Sequence, residues 1–129
     1  MLRATLPLLS AIRSIKASTG ITGLPAHPDP LPALSHIYAS TLSLLSSIPS
    51  TSVYRQATQA VTEHNLNIVE KAKGDVASVE RELGMVEKLI EAAKEEQNLA
   101  GKMLEWKSWE ALEEEPRPNQ WRYFDPGNE

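Results

Sequence analysis

The sequence predicts an all-α chain: a three-helix bundle whose third helical region is kinked or broken near Gly84, with an extended N-terminal strap and an extended Trp-rich C-terminal tail. Three observations predict it. Apolar residues recur at spacings of three and four in three successive segments between residues 33 and 104. No proline lies between residues 50 and 115, whereas Pro25, Pro28, Pro30 and Pro32 crowd the stretch before the first helical pattern and Pro116, Pro118 and Pro126 follow the last. The length, 129 residues, suits one domain, which at this size hides roughly two thirds of its unfolded surface. The predicted organisation is a presequence-like segment over 1–18, a Gly/Pro-rich strap over 19–32, the helical bundle over 33–104 and an aromatic, acidic tail over 105–129.

Residues 1–18 (MLRATLPLLSAIRSIKAS) hold three basic residues, four hydroxyl side chains and no acid among leucines and isoleucines. That is the composition of a mitochondrial targeting segment, cleaved or retained, the alternative being an ordinary amphipathic N-terminal segment of a cytosolic protein. No run approaches the roughly 18 apolar residues of a membrane span. The next fourteen residues, TGITGLPAHPDPLP, carry too many prolines to stay helical and read as a strap on the domain surface with Ile21 and Leu24 as apolar anchors. A phosphate-binding glycine loop is excluded there, because no strand precedes the glycines and no GK[ST] follows.

A first helix is expected from about Pro32 or Ala33 to Ser47, with Leu34, Ile37, Tyr38, Leu42, Leu45 and Ile48 on one face and Pro32 in its first turn. Residues 49–52 form a short polar connection in which Ser50, Thr51 or Ser52 caps a second helix over about 53–72. Its stripe is expected to run through Tyr54, Ala57, Val61, Asn65 and Ile68, with Leu66 and Val69 beside it and small residues at Ala57 and Ala60. Lys73, Gly74 and Asp75 read as stop, turn and new cap. The third pattern, Val76, Val79, Leu83, Val86, Ile90, Ala93, Gln97, Ala100 and Leu104, steps by alternating threes and fours and forms one heptad seam. Gly84 inside it lowers helix propensity by about 1 kcal/mol and marks the break.

The tail holds Trp106, Trp109 and Trp121, all the tryptophans of the chain, with Tyr123 and Phe124 beside them. Prolines prevent a continuous helix, so these rings are expected either to close the end of the bundle or, for Trp121, Tyr123 and Phe124 above all, to meet a partner, since large aromatics dominate protein interfaces.

Composition excludes several chemistries. Without cysteine there is no disulfide framework, thiolate zinc site, cysteine-ligated cluster or cysteine nucleophile. His27, His36 and His64 stand without a second ligand at metal spacing, and Glu63 points about 100° away from its neighbour His64 on a helix. No nucleophile elbow, P-loop or dinucleotide fingerprint occurs, so no catalytic residue, cofactor or metal is assigned. Glu113, Glu114 and Glu115 read as a solvated or partner-facing acidic patch. The net charge of -4 disfavours nucleic acid. It is unevenly spread: residues 1–62 carry four bases and one acid, and residues 63–129 carry nine bases and sixteen acids.

The chain resembles the alpha subcomplex subunit 5 family of accessory subunits of mitochondrial NADH:ubiquinone oxidoreductase, respiratory complex I. The residues that carry the resemblance span about 19–121. They are Asn98-Leu99-Ala100, Lys102-Met103, Glu105-Trp106-Lys107, Trp109-Glu110, Leu112, Glu115-Pro116 and Gln120-Trp121 in the tail, and Thr19-Gly20-Ile21, Gly23-Leu24, residues 34–38, Ile48-Pro49 and Tyr54-Arg55 toward the N-terminus. Ser108 stands where the family often has proline, and Gly101 where a basic residue is usual. The resemblance implies a helical, non-catalytic subunit without flavin, cluster or quinone of its own. It would lie peripherally on the matrix side of the inner membrane, near the quinone-side module and its iron–sulfur protein subunits. The residues expected to bind partners are Trp106, Trp109, Trp121, Tyr123, Phe124, Ile21, Leu24 and Arg55. A rival from another class is a free helical adaptor or assembly chaperone of the matrix using the same aromatics.

Overall fold

The computed structural model describes residues 17–123, so the segment expected to be presequence-like, apart from Ala17 and Ser18, and Phe124 lie outside the described residues. Four helices follow in order among them, α1 (Pro30–Ser46), α2 (Val53–Lys71), α3 (Val76–Leu83) and α4 (Val86–Trp106), and no strand occurs.

Helix α1 starts two to three residues ahead of the expected position, inside the segment read as strap. The first four N–H groups of a helix have no partner within it, so Pro30 and Pro32 in the first turn forfeit nothing. Asp29 makes no side-chain cap, and its N–H donates instead to His27 Nδ1 at 3.1 Å. Ahead of it, the strap closes a turn where an extended chain was expected: Thr19 Oγ1 donates to the Leu24 carbonyl, and Leu24 N–H donates to the Ile21 carbonyl at 3.3 Å. Gly20 and Gly23, with φ of 75° and 82°, supply the left-handed backbone that this turn needs.

Ser52 caps α2, its hydroxyl accepting from Arg55 N–H at 3.5 Å. The inner face of α2 holds Tyr54, Asn65, Leu66, Ile68 and Val69 as expected but differs from the expected stripe at Ala57 and Val61. Thr62 and Val69 are buried, whereas Ala57 and Val61 face solvent and Val61 is 60% exposed. Thr58, Asn65 and Leu66, half-buried, lie on the inner side. Threonine presents a methyl group to the core at helical spacing, so a face built on Thr58 and Thr62 is less conspicuous in sequence than Val53–Ala57–Val61, yet it is the one that packs. Lys73 and Gly74, both at positive φ, turn the chain into α3. Asp75 precedes α3 without a side-chain cap; its carbonyl accepts from Val79 N–H at 3.4 Å.

The break expected near Gly84 is present. Gly84 has φ 98° and ψ -169°, a backbone region open to glycine almost alone, and it separates α3 from α4. Glu80 Oε1 reaches across the break to accept from Val86 N–H at 3.5 Å. Helix α1 packs mainly against α4 and next against α2, while α3 touches both α4 and α2. One core joins Leu31, Leu34, Ile37 and Tyr38 to Val69, Val79, Val86, Ile90 and Ala93. A second joins Leu45, Ile48 and Ala100, with Tyr54, Leu104 and Trp109 packed on its edge. Thr41 is fully buried and returns its hydroxyl to the Ile37 carbonyl at 2.9 Å, so a polar group sits inside α1 without an unmet hydrogen bond.

Candidate docking surface

Among the described residues no group of three or more His, Asp or Glu side chains is placed to hold a metal ion. Among the described residues no helix is long and apolar enough to cross a membrane. His36 and His64 are exposed, and His27 is half-buried. The surface features that remain are apolar groups left in solvent, and the residues expected to bind partners separate into three kinds.

Trp121 and Tyr123 are 74% and 71% exposed. Trp121 sits on a turn closed by Gln120 N–H to the Arg117 carbonyl (3.3 Å) and Arg122 N–H to the Asn119 carbonyl (3.0 Å), with Asn119 at φ 70°. The tail is thus folded locally into turns while its rings point outward, which is the arrangement of side chains without an intramolecular destination. Trp106 is 63% exposed but belongs to the last turn of α4, not to the tail. The helix ends immediately after it because Lys107 takes a left-handed conformation (φ 52°), letting Ser108 N–H reach the Met103 carbonyl at 3.4 Å.

Trp109 is different: half-buried, it packs on the cluster of Leu45, Ile48 and Ala100. It therefore fixes where the tail leaves the helices. Ile21 is 40% exposed, and Leu24 is half-buried in a groove of about 270 Å³ whose walls include Pro25, His27, Glu87 and Ile90. Arg55 is already engaged within the chain. Its guanidinium donates to the Ile48 carbonyl and, through Nε, to Gln59 Oε1 at 3.4 Å, tying the start of α2 to the beginning of the loop that follows α1.

The residues that sequence reasoning missed are Val53, 77% exposed, Val61, and the pair Tyr54 and Glu96. Tyr54 Oη donates to Glu96 Oε1 at 2.7 Å, joining α2 to α4 across 42 residues of sequence. Burial foremost, and then the hydrogen bond and charge of Glu96, push the Tyr54 hydroxyl up to about 12. Burial likewise raises Tyr38, with the Asn65 side chain pulling the other way. A folded value above the ordinary one near 10 means that the folded state holds the Tyr54 proton more tightly. The contribution is complete below about pH 10 and is lost as pH rises through about 12. Tyr54→Phe is expected to cost about 1 kcal/mol at neutral pH, the scale of one partly exposed hydrogen bond to a charged group. The stability difference from the unsubstituted chain should shrink between pH 10 and 12, as measured by urea unfolding at each pH.

The described helices coincide with a known family. The family model described as "ETC complex I subunit conserved region" matches residues 23–97, more than half of the chain. The chain belongs to the alpha subcomplex subunit 5 family of complex I. Among the family's relatives, NADH dehydrogenase [ubiquinone] 1 alpha subcomplex subunit 5 of Mus musculus is 41% identical over 111 residues, covering 84% of this chain and 95% of the mouse protein. The Candida albicans alpha subcomplex subunit MCI4 is 38% identical, covering 92% of this chain and 94% of its own. The Bos taurus subunit 5 is 39% identical over 84% of this chain and 95% of the bovine protein. The family's matched region starts at the end of the strap turn and spans α1, α2, α3 and the first half of α4. It stops short of the Trp-rich tail.

Proposed function

We propose that the chain is a non-catalytic accessory subunit of mitochondrial respiratory complex I, peripheral and on the matrix arm near the quinone-side module and its iron–sulfur proteins. There it would support NADH-to-ubiquinone electron transfer by stabilising the complex. The observation that carries this reading is the family match over residues 23–97, together with relatives named as subunits of this dehydrogenase that align over nearly their full length. The arrangement of the chain supports it. Helices α1, α2, α3 and α4 pack together on a shared core. Around it lie a Leu24-lined strap at one place and exposed Trp121 and Tyr123 on a tail rooted by Trp109. Such a body carries docking elements on its surface.

Trp121→Ala is expected to lower retention of the chain on the isolated complex by about tenfold, the scale of an aromatic anchor, with unchanged helicity by circular dichroism because the ring is in solvent. Full retention would remove the tail as an anchor. Deleting the chain from mitochondria tests the function itself. The reading expects less assembled complex with normal NADH oxidation per flavin in what remains. Normal amounts of complex with depressed turnover would indicate a direct catalytic role and overturn it.

A further inference from the structure

The C-terminal half of α4 carries an exposed apolar line distinct from the seam that faces the core. Leu99, Met103 and Trp106 stand at i, i+4 and i+7 on one side of the helix. Leu99 is 40% exposed, Trp106 63% and Met103 half-buried, while Ala93 and Ala100 on the inner side are buried. The apolar surface continues past the helix. Met103, Ser108 and half-buried Trp109 line a groove of about 290 Å³ whose opposite wall is Thr51, Ser52, Val53 and Tyr54, and Val53 there is 77% exposed. The line therefore leads from α4 onto the start of α2 through a groove whose floor is held by the second core.

Acids outnumber bases along the stretch that carries this surface. Residues 91–115 contain eight acids and three bases, and of those bases Lys102 is already paired with Glu105 at 3.0 Å. Glu96, at one border, is fixed by Tyr54.

We propose that Leu99, Met103, Trp106 and the adjoining Val53–Trp109 groove form a docking surface for another protein, one whose facing surface is apolar at its centre and lined by lysine and arginine at its edge. Anchors at i, i+4 and i+7 are how a helix seats itself in an apolar groove, and an acidic frame selects a basic rim and speeds encounter with it. A second copy of this chain does not fit, because a two-fold contact would set the same acidic frame against itself. An anionic lipid surface is repelled for the same reason. The inference rests on the reading of the chain as a subunit of a larger assembly.

The test replaces the natural chain in mitochondria with Leu99→Ser/Trp106→Ser and measures the fraction that cofractionates with the NADH-oxidising assembly. About a tenfold drop is expected, with the isolated variant melting within a few degrees of the unsubstituted chain. Undiminished cofractionation overturns the proposal. If the double variant folds poorly, the triple variant Glu113→Gln/Glu114→Gln/Glu115→Gln, altered only at exposed positions outside the helices, decides the matter. It should leave the assembly at lower KCl than the unsubstituted chain, and release at equal or higher KCl contradicts a basic partner. Flotation with phosphatidylcholine–phosphatidylserine vesicles should leave the chain in solution, and recruitment overturns the protein partner. Absence of the unsubstituted chain from the assembly defeats the proposed function, whereas presence of both chains alike defeats the docking surface alone.

Discussion

Leu34→Ala is expected to destabilise the chain by about 3 kcal/mol and to lower its Tm by about 12 °C, the largest effect of any single truncation in α1. Leu34 has no exposed surface and belongs to the core that gathers side chains from all four helices. Removing its isobutyl group loses the transfer free energy of the missing carbons and leaves a void lined by Val79, Val86 and their neighbours, which α1 and α4 cannot close without breaking their own packing. His36→Ala, exposed on the same helix, serves as the control and should stay within about 0.5 kcal/mol. Thermal melts followed by circular dichroism measure both. A loss below about 1 kcal/mol at Leu34 would place the core elsewhere.

Gly84→Ala separates two structures that the heptad pattern alone does not distinguish. In the broken form Gly84 occupies φ 98°, ψ -169°, and a side chain there costs about 2 kcal/mol through the backbone alone, since an added Cβ meets no atom within 4 Å. In a continuous helix from Val76 to Trp106 the same substitution would gain about 1 kcal/mol of helix propensity. The sign of the change therefore decides: destabilisation with unchanged helicity is expected, and stabilisation with added helicity would mean that α3 and α4 are one rod. The break has a function in the fold. It lets Val79 of the short helix and Val86 of the long one both turn fully inward, while Glu80 accepts from the first N–H of α4, which has no partner within the helix.

The helical segments were legible because each repeats apolar residues at a helical period and is bounded by strong punctuation: Pro49, Lys73-Gly74 and Gly84. What escaped was decided by groups that periodicity does not weigh. Pro30 read as part of the strap, yet the first turn of a helix has no bond for it to break. The inner face of α2 rests on Thr58, Thr62 and Val69, while the more hydrophobic Val53, Ala57 and Val61 stay outside. No local rule ranks those two faces; packing against α1 does. Around the candidate site, the concentration of aromatics after residue 105 was plain in the sequence, but their division of labour was not. Trp109 goes inward because the left-handed turn at Lys107 reverses the chain onto Leu45 and Ile48, whereas Trp106, one residue before that turn, is left facing solvent. The Tyr54–Glu96 hydrogen bond joins residues 42 apart in sequence and has no local signature.

The central proposal, which rests on the family match, is that this chain works as a fixed part of a large respiratory assembly. The most direct measurement is a native gel of gently solubilised mitochondria in which the tagged chain and in-gel NADH dehydrogenase activity are read in the same lane. A subunit of complex I comigrates with the large active band and is scarce elsewhere. A chain found only among small species, with none in the active band, would contradict that role and leave a free helical adaptor of the matrix as the reading to pursue.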